Sequence, residues 1–123
     1  MTPDFLRIVN LVGATTQDAQ LTLRDYIDAA TAIEAVRLGS SSGLSDATRA
    51  MIIEHLSAAL YEMQGGGGVS SHRLTDETIS YSTDAAAISN MLASSRHGQI
   101  AAMLDTSGAL AAATKPRASF VVL

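Results

Sequence analysis

The chain has 123 residues, a length that suits one domain with one modest core. Apolar residues make up 47% and aromatics only 4%, so the core is built from Ala, Leu, Ile and Met; such a core is thin, and oligomerisation is a natural supplement. A net charge of −4 without a basic cluster argues against a phosphate-tracking surface, and the lack of cysteine excludes disulfides, thiol catalysis and Cys-ligated metals.

The acidic excess lies in residues 1–64, which carry eight acids and four arginines; residues 65–123 carry four acids and four bases. Met1-Thr2-Pro3-Asp4 has neither a basic n-region nor an apolar h-region, so no signal peptide is expected. The apolar runs are far too short to span a membrane.

Thr2-Pro3-Asp4 reads as a helix start, and a short helix over about 3–12 closes at Gly13. Thr15-Thr16-Gln17-Asp18 opens a second helix. Its apolar positions Leu23, Tyr26, Ile27, Ala30, Ile33 and Val36 recur at three and four, which predicts one buried face. Gly39 to Gly43 is a loop, and Ser45-Asp46 caps a third helix running to about Gln64. That helix presents Ile52, Ile53, Leu56, Ala59, Leu60 and Met63, and its length makes it the expected central element.

Four glycines, Gly65, Gly66, Gly67 and Gly68, follow. One would serve as a C-cap, whereas four make a swivel. Beyond them, Val69 to Leu74 and Thr78 to Ser82 lack helical spacing, with Ile79 and Tyr81 in period-two register. Thr75-Asp76-Glu77 between them reads as a turn, so a short β-hairpin or extended arm is expected over about 69–82, lying on something else because a lone hairpin is marginal. Thr83-Asp84 caps a fourth predicted helix to about Ala93, with Ile88, Met91 and Leu92 inward, and a fifth covers about 96–105 with Ile100, Met103 and Leu104. The expected fold is therefore mainly α: a bundle of four to five helices over 1–105, the arm at 65–82, and an extended C-terminal tail over 106–123.

Chemistry-bearing patterns are sparse. The glycine run follows a helix instead of a strand and lacks the Lys-Ser or Lys-Thr of a phosphate loop, so it reads as a mechanical joint. Glu54-His55 has no second histidine one turn on, and His72 and His97 lie on other segments, so a zinc site would need their convergence. No serine sits in a nucleophile elbow, and Asp25, Asp28, Asp76 and Glu77 read as solvated acids. No enzyme activity, cofactor or metal is expected. Phe120-Val121-Val122-Leu123 either folds back on its own core or adds a strand to a neighbour.

The order Glu54 to Leu60, the glycines, Val69-Ser70-Ser71, Arg73 to Tyr81, then Ser95-Arg96-His97-Gly98-Gln99 resembles the head–tail connector (adaptor, or head-completion) proteins of tailed phages. Upstream, Tyr26-Ile27-Asp28-Ala29-Ala30 resembles the acidic amphipathic helix that precedes that block. The resemblance covers about 15–105, and Thr75-Asp76 stands where the family commonly has Gly-Asp. It implies a non-catalytic helical subunit of a ring, typically twelve-fold, beneath the portal at the capsid vertex of the virion. DNA would pass through the lumen without sequence-specific binding. The implied partners are further copies, the portal protein, and a tail, stopper or tail-terminator protein. Assembly would take place in the host cytoplasm.

On this reading Gly65–Gly68 are the hinge, and Val69, Ser70, Ser71, Arg73, Leu74, Ile79 and Tyr81 meet a neighbouring subunit or the portal. Phe120 to Leu123 make a further contact. The alternative is a non-enzymatic helical adaptor or regulatory module acting as monomer or dimer, with the same arm as its docking loop.

Overall fold

The computed structural model describes residues 3–39, 43–64 and 71–111. Six helices follow in order: α1 (Phe5–Val12), α2 (Gln17–Leu38), α3 (Asp46–Met63), α4 (Ser71–Thr83), α5 (Ala85–Ser94) and α6 (Arg96–Leu104). No strand occurs among the described residues.

Each start has a local cause. The side chains of Asp4, Thr16, Ser45, Asp84 and Ser95 accept from the backbone N–H groups that a first turn leaves free. Asp4 caps α1. Gly13 ends α1 at φ 70°, donating its N–H to the Val9 carbonyl in a left-handed cap.

α3 is the centre of the bundle. It packs against α1, α2 and α6, while α4 lies along α2, and α5 bridges α4 and α6. Between Ile52 and Tyr61 only His55 escapes full burial, so the middle of α3 is enclosed on nearly all sides. Ser57 is tolerated there because its hydroxyl donates to the Ile53 carbonyl at 2.7 Å. The expected faces need correction at their ends. Val36 and Met103 are exposed, and Met63 is largely so. On α2 the buried stripe steps from Ile33 to Glu34 and Arg37, leaving Val36 to turn outward.

Two buried carboxylates tie elements together. Glu34 on α2 is fully buried and takes a fork of hydrogen bonds from Arg49 on α3. Glu54 on α3 accepts from the Asp4 backbone N–H at 2.8 Å and from Arg7 Nη1 at 3.1 Å, anchoring α1. Both satisfy the rule that a buried charge is paired and hydrogen-bonded.

The β-hairpin or extended arm is overturned where it can be seen: 71–83 is helix. Leu74, Thr78, Tyr81 and Ser82 form the inner face at a spacing of three and four. The hydroxyl-rich composition that suggested strands is absorbed by back-bonding. Thr78 donates to the Leu74 carbonyl at 2.7 Å, Ser82 to that of Thr78 at 2.7 Å, and Thr83 to that of Ile79 at 2.8 Å. Arg73 and Glu77 add an exposed pair one turn apart, at 3.3 Å.

Order continues past α6. Asp105 accepts from the Ser107 N–H at 3.1 Å and the Leu110 N–H at 2.7 Å, with Gly108 at φ 75° making the turn. Leu110 is thereby inserted into the core at 1% exposure, and its carbonyl accepts from Arg37 Nε at 2.9 Å. We expect Leu110→Ala to destabilise the fold by about 3 kcal/mol in urea unfolding, the range for a buried Leu. A loss below about 0.5 kcal/mol would show this turn to be dispensable to the body. The rest of the C-terminal tail lies outside the described residues.

Candidate interaction surface

α4 carries several residues expected to meet a partner. Leu74 and Tyr81 are half-buried against the core. Arg73 is exposed beside Glu77. Ile79 points outward at 56% exposure, because the helix turns it away from Tyr81 instead of pairing the two on one face. Gly65 to Gly68, Val69 and Ser70 lie outside the described residues, as do Phe120 to Leu123; Ser71 is the first residue of α4.

Between α2 and α4 runs a groove of about 380 Å³. Ala29 and Ala32 of α2 and Leu74 and Ile79 of α4 form its apolar part. Thr75 and Thr78 line the α4 side, and Asp25 and Asp28 line the α2 side. The groove exists because α2 presents alanines where it faces α4, and small side chains leave space that neither helix fills. Asp28 is shared with a second recess of about 430 Å³ between α1 and α2, lined also by Pro3, Phe5, Arg24, Ile27 and Thr31. There the Arg24 guanidinium lies 4.2 Å from the Phe5 ring centre. The outer ridge of α2 is thus flanked by hollows on both sides, with acids along it.

Tyr26, buried under the groove, meets Tyr61 edge to face at 6.1 Å. Burial, reinforced by the nearby carboxylates of Glu77 and Asp25, raises the Tyr26 hydroxyl above its ordinary pKa. Burial, and then Glu77, does the same for Tyr81. Both phenols therefore stay neutral at physiological pH, and the groove's negative charge comes from carboxylates alone. An apolar slot with acids on one wall is suited to a segment bearing apolar side chains and a positive charge.

Among the described residues no group of three or more His, Asp or Glu is arranged to hold a metal ion. No helix among them is long and apolar enough to cross a membrane. The histidines, however, are not all apart: His55 and His97 stack across the α3–α6 seam, a convergence over 42 residues that spacing does not reveal.

The Ser95-Arg96-His97-Gly98-Gln99 run also has a structural account. Ser95 Oγ accepts from the Gly98 N–H at 2.9 Å, Gln99 Nε2 donates to the Ala93 carbonyl at 3.0 Å, and Gly98 lies against the Leu92 backbone. These contacts fold α6 back at a one-residue corner. Compared with protein-family models, with curated proteins and with solved structures, the chain matches none.

Proposed function

We propose that the protein is a structural assembly subunit that uses the α2–α4 groove to hold a neighbouring chain, within a ring joining the portal at the capsid vertex to the tail or neck. The observation that carries the assembly reading is the groove itself. Ile79 and Leu74 form an apolar strip beside Asp25 and Asp28, with Ile79 exposed. The ring and its portal partner rest on the resemblance of the α2, α3 and α4 to α6 segments to head–tail connectors. An acidic subunit without a basic footprint suits a lumen that lets DNA slide past.

Ring interfaces of this kind are heterologous, so a groove on one subunit takes a different surface of the next. That arrangement fits a patch that is not self-complementary: the acids of the groove would face each other across a two-fold axis.

The test combines position and mutation. Immunolabelled electron microscopy of the particle should place the protein at the neck, and its absence there would remove the connector reading. Ile79→Asp should leave the unfolding free energy within about 0.5 kcal/mol of wild type, as for an exposed substitution. Incorporation into particles should nevertheless fall at least about tenfold, the effect of losing roughly 1.4 kcal/mol of contact. Normal incorporation of this variant would show that the groove is not the interface.

A further inference from the structure

The seam between α3 and α6 holds a second convergence of titratable groups, independent of the groove. The rings of His55 and His97 stack with centres 5.4 Å apart and planes 27° apart. Their Nδ1 atoms are 3.2 Å apart. Two ring nitrogens at that distance form a hydrogen bond only when one bears a proton and the other does not. His97 is buried at 2% exposure, and its Nε2 is enclosed without a hydrogen-bond partner. The nearest charge to that nitrogen is Glu62 Oε2, at 3.5 Å.

These positions assign the protons. A proton on His97 Nε2 faces the Glu62 carboxylate, whereas a lone pair there would face a negative charge. Neutral His97 therefore carries its proton on Nε2, its Nδ1 accepts, and His55 Nδ1 donates. The first proton added, on either ring, leaves one Nδ1 free to accept, so that hydrogen bond survives. The second has to occupy the remaining Nδ1 lone pair. Two N–H groups and two positive charges then face each other across the contact.

Two carboxylates of α3 oppose this, Glu54 at His55 and Glu62 at 3.5 Å from His97 Nε2. α3 brings Glu54 and Glu62, and α6 brings the exposed Arg96. α1 and its cap bring Arg7, paired with the Glu54 carboxylate, and the Asp4 carboxylate, which faces Arg7. The buried charges of α2 are turned elsewhere, Glu34 to Arg49 and Arg37 to the Leu110 carbonyl. α5 has no titratable side chain. Burial, then the His97 charge, lowers the proton affinity of His55, and Glu54 opposes them.

We propose that the His55–His97 pair is a proton-operated latch, closing the α3–α6 seam when neutral or singly protonated and opening it when both rings are charged. The sign follows from the unfolded chain, where the His55 imidazole titrates near 6.5. Because folded His55 binds its proton more weakly, the stabilisation is complete above that range. It is lost as pH falls through 6.5 toward the lower folded value.

Urea unfolding of the full chain at about pH 7.5 and about pH 5 tests the latch, using wild type, His55→Gln and His97→Gln. Over that interval the wild-type unfolding constant should rise about tenfold more than that of His55→Gln, which has one imidazole fewer to charge at the seam. Equal rises overturn the proposal. If His97→Gln does not fold, ring-nitrogen spectra of the wild type decide instead. At the higher pH His55 should be the Nδ1–H form and His97 the Nε2–H form, with two separate titration steps. Two Nε2–H rings sharing one ordinary midpoint would refute it. Amide exchange locates the opening: at the lower pH, protection should fall about tenfold more in α6 than in α2. A uniform loss would mean global unfolding without a latch.

Discussion

Arg49→Ala should destabilise the fold by about 3 kcal/mol, because it strands a carboxylate that has no access to water. Glu34 is fully buried on α2, and Arg49 reaches across from α3 to grip both of its oxygens, with Nη2 at 3.0 Å from Oε1. The fork geometry matters, since two parallel bonds fix the α2–α3 register as well as neutralising the charge. Burial disfavours the Arg49 cation, yet the hydrogen bond to Glu34 outweighs it, and the net effect holds the guanidinium above its ordinary pKa. The pair is not itself a large source of stability, because removing two charges from water offsets most of their attraction. The double variant Glu34→Leu with Arg49→Met should accordingly return to within about 1 kcal/mol of wild type. Urea midpoints for the two single variants and the double one complete a mutant cycle. A loss below 1 kcal/mol for Arg49→Ala would mean that water or another group reaches Glu34.

The starts of α2, α3 and α5 were legible because caps are local. Thr16, Ser45 and Asp84 each sit within three residues of the N–H they accept, so a short window contains the whole interaction. The central role of α3 was legible from its length, because a helix spanning the body has the most neighbours to pack against. Partners far apart in sequence were not legible. Glu34 and Arg49 are 15 residues apart, Glu54 and Asp4 are 50, and Arg37 and Leu110 are 73. Each polar residue looks like a surface residue until its partner is known. Glu34 is such a residue, and it is fully enclosed.

α4 failed for a different reason. Thr75, Thr78, Ile79 and Thr83 favour strands as isolated residues, but propensity is weak beside packing against α2. Of the groove, Leu74 and Ile79 could be picked out as apolar residues in a polar stretch. Asp25 and Asp28 could not be assigned to the same surface, because nothing in the sequence joins α2 to a segment about 50 residues later.

Gly98→Ala should destabilise the protein by about 2 kcal/mol, although alanine is the better helix former by about 1 kcal/mol. A Cβ at Gly98 would stand 2.6 Å from the Leu92 carbonyl oxygen and 2.8 Å from its Cα. Those atoms belong to the backbone of α5, so no side chain can swing aside; α6 itself has to move. The α5–α6 corner is one residue long and is closed by Ser95 and Gln99, which leaves it little slack. Displacing α6 also carries His97 away from His55, so the variant should lose both stability and the hydrogen bond between the two rings. Gly13→Ala is the contrasting case. Open space surrounds a Cβ there, but φ is +70°, so its cost is confined to the left-handed backbone, about 1 kcal/mol. The two glycines thus separate by readout. Urea unfolding should show the larger loss for Gly98→Ala, and only that variant should shift the His97 ring-nitrogen resonances. If Gly98→Ala instead proved as stable as wild type, helix propensity would have outweighed the clash, and the close approach of α6 to α5 would not be what sets the corner.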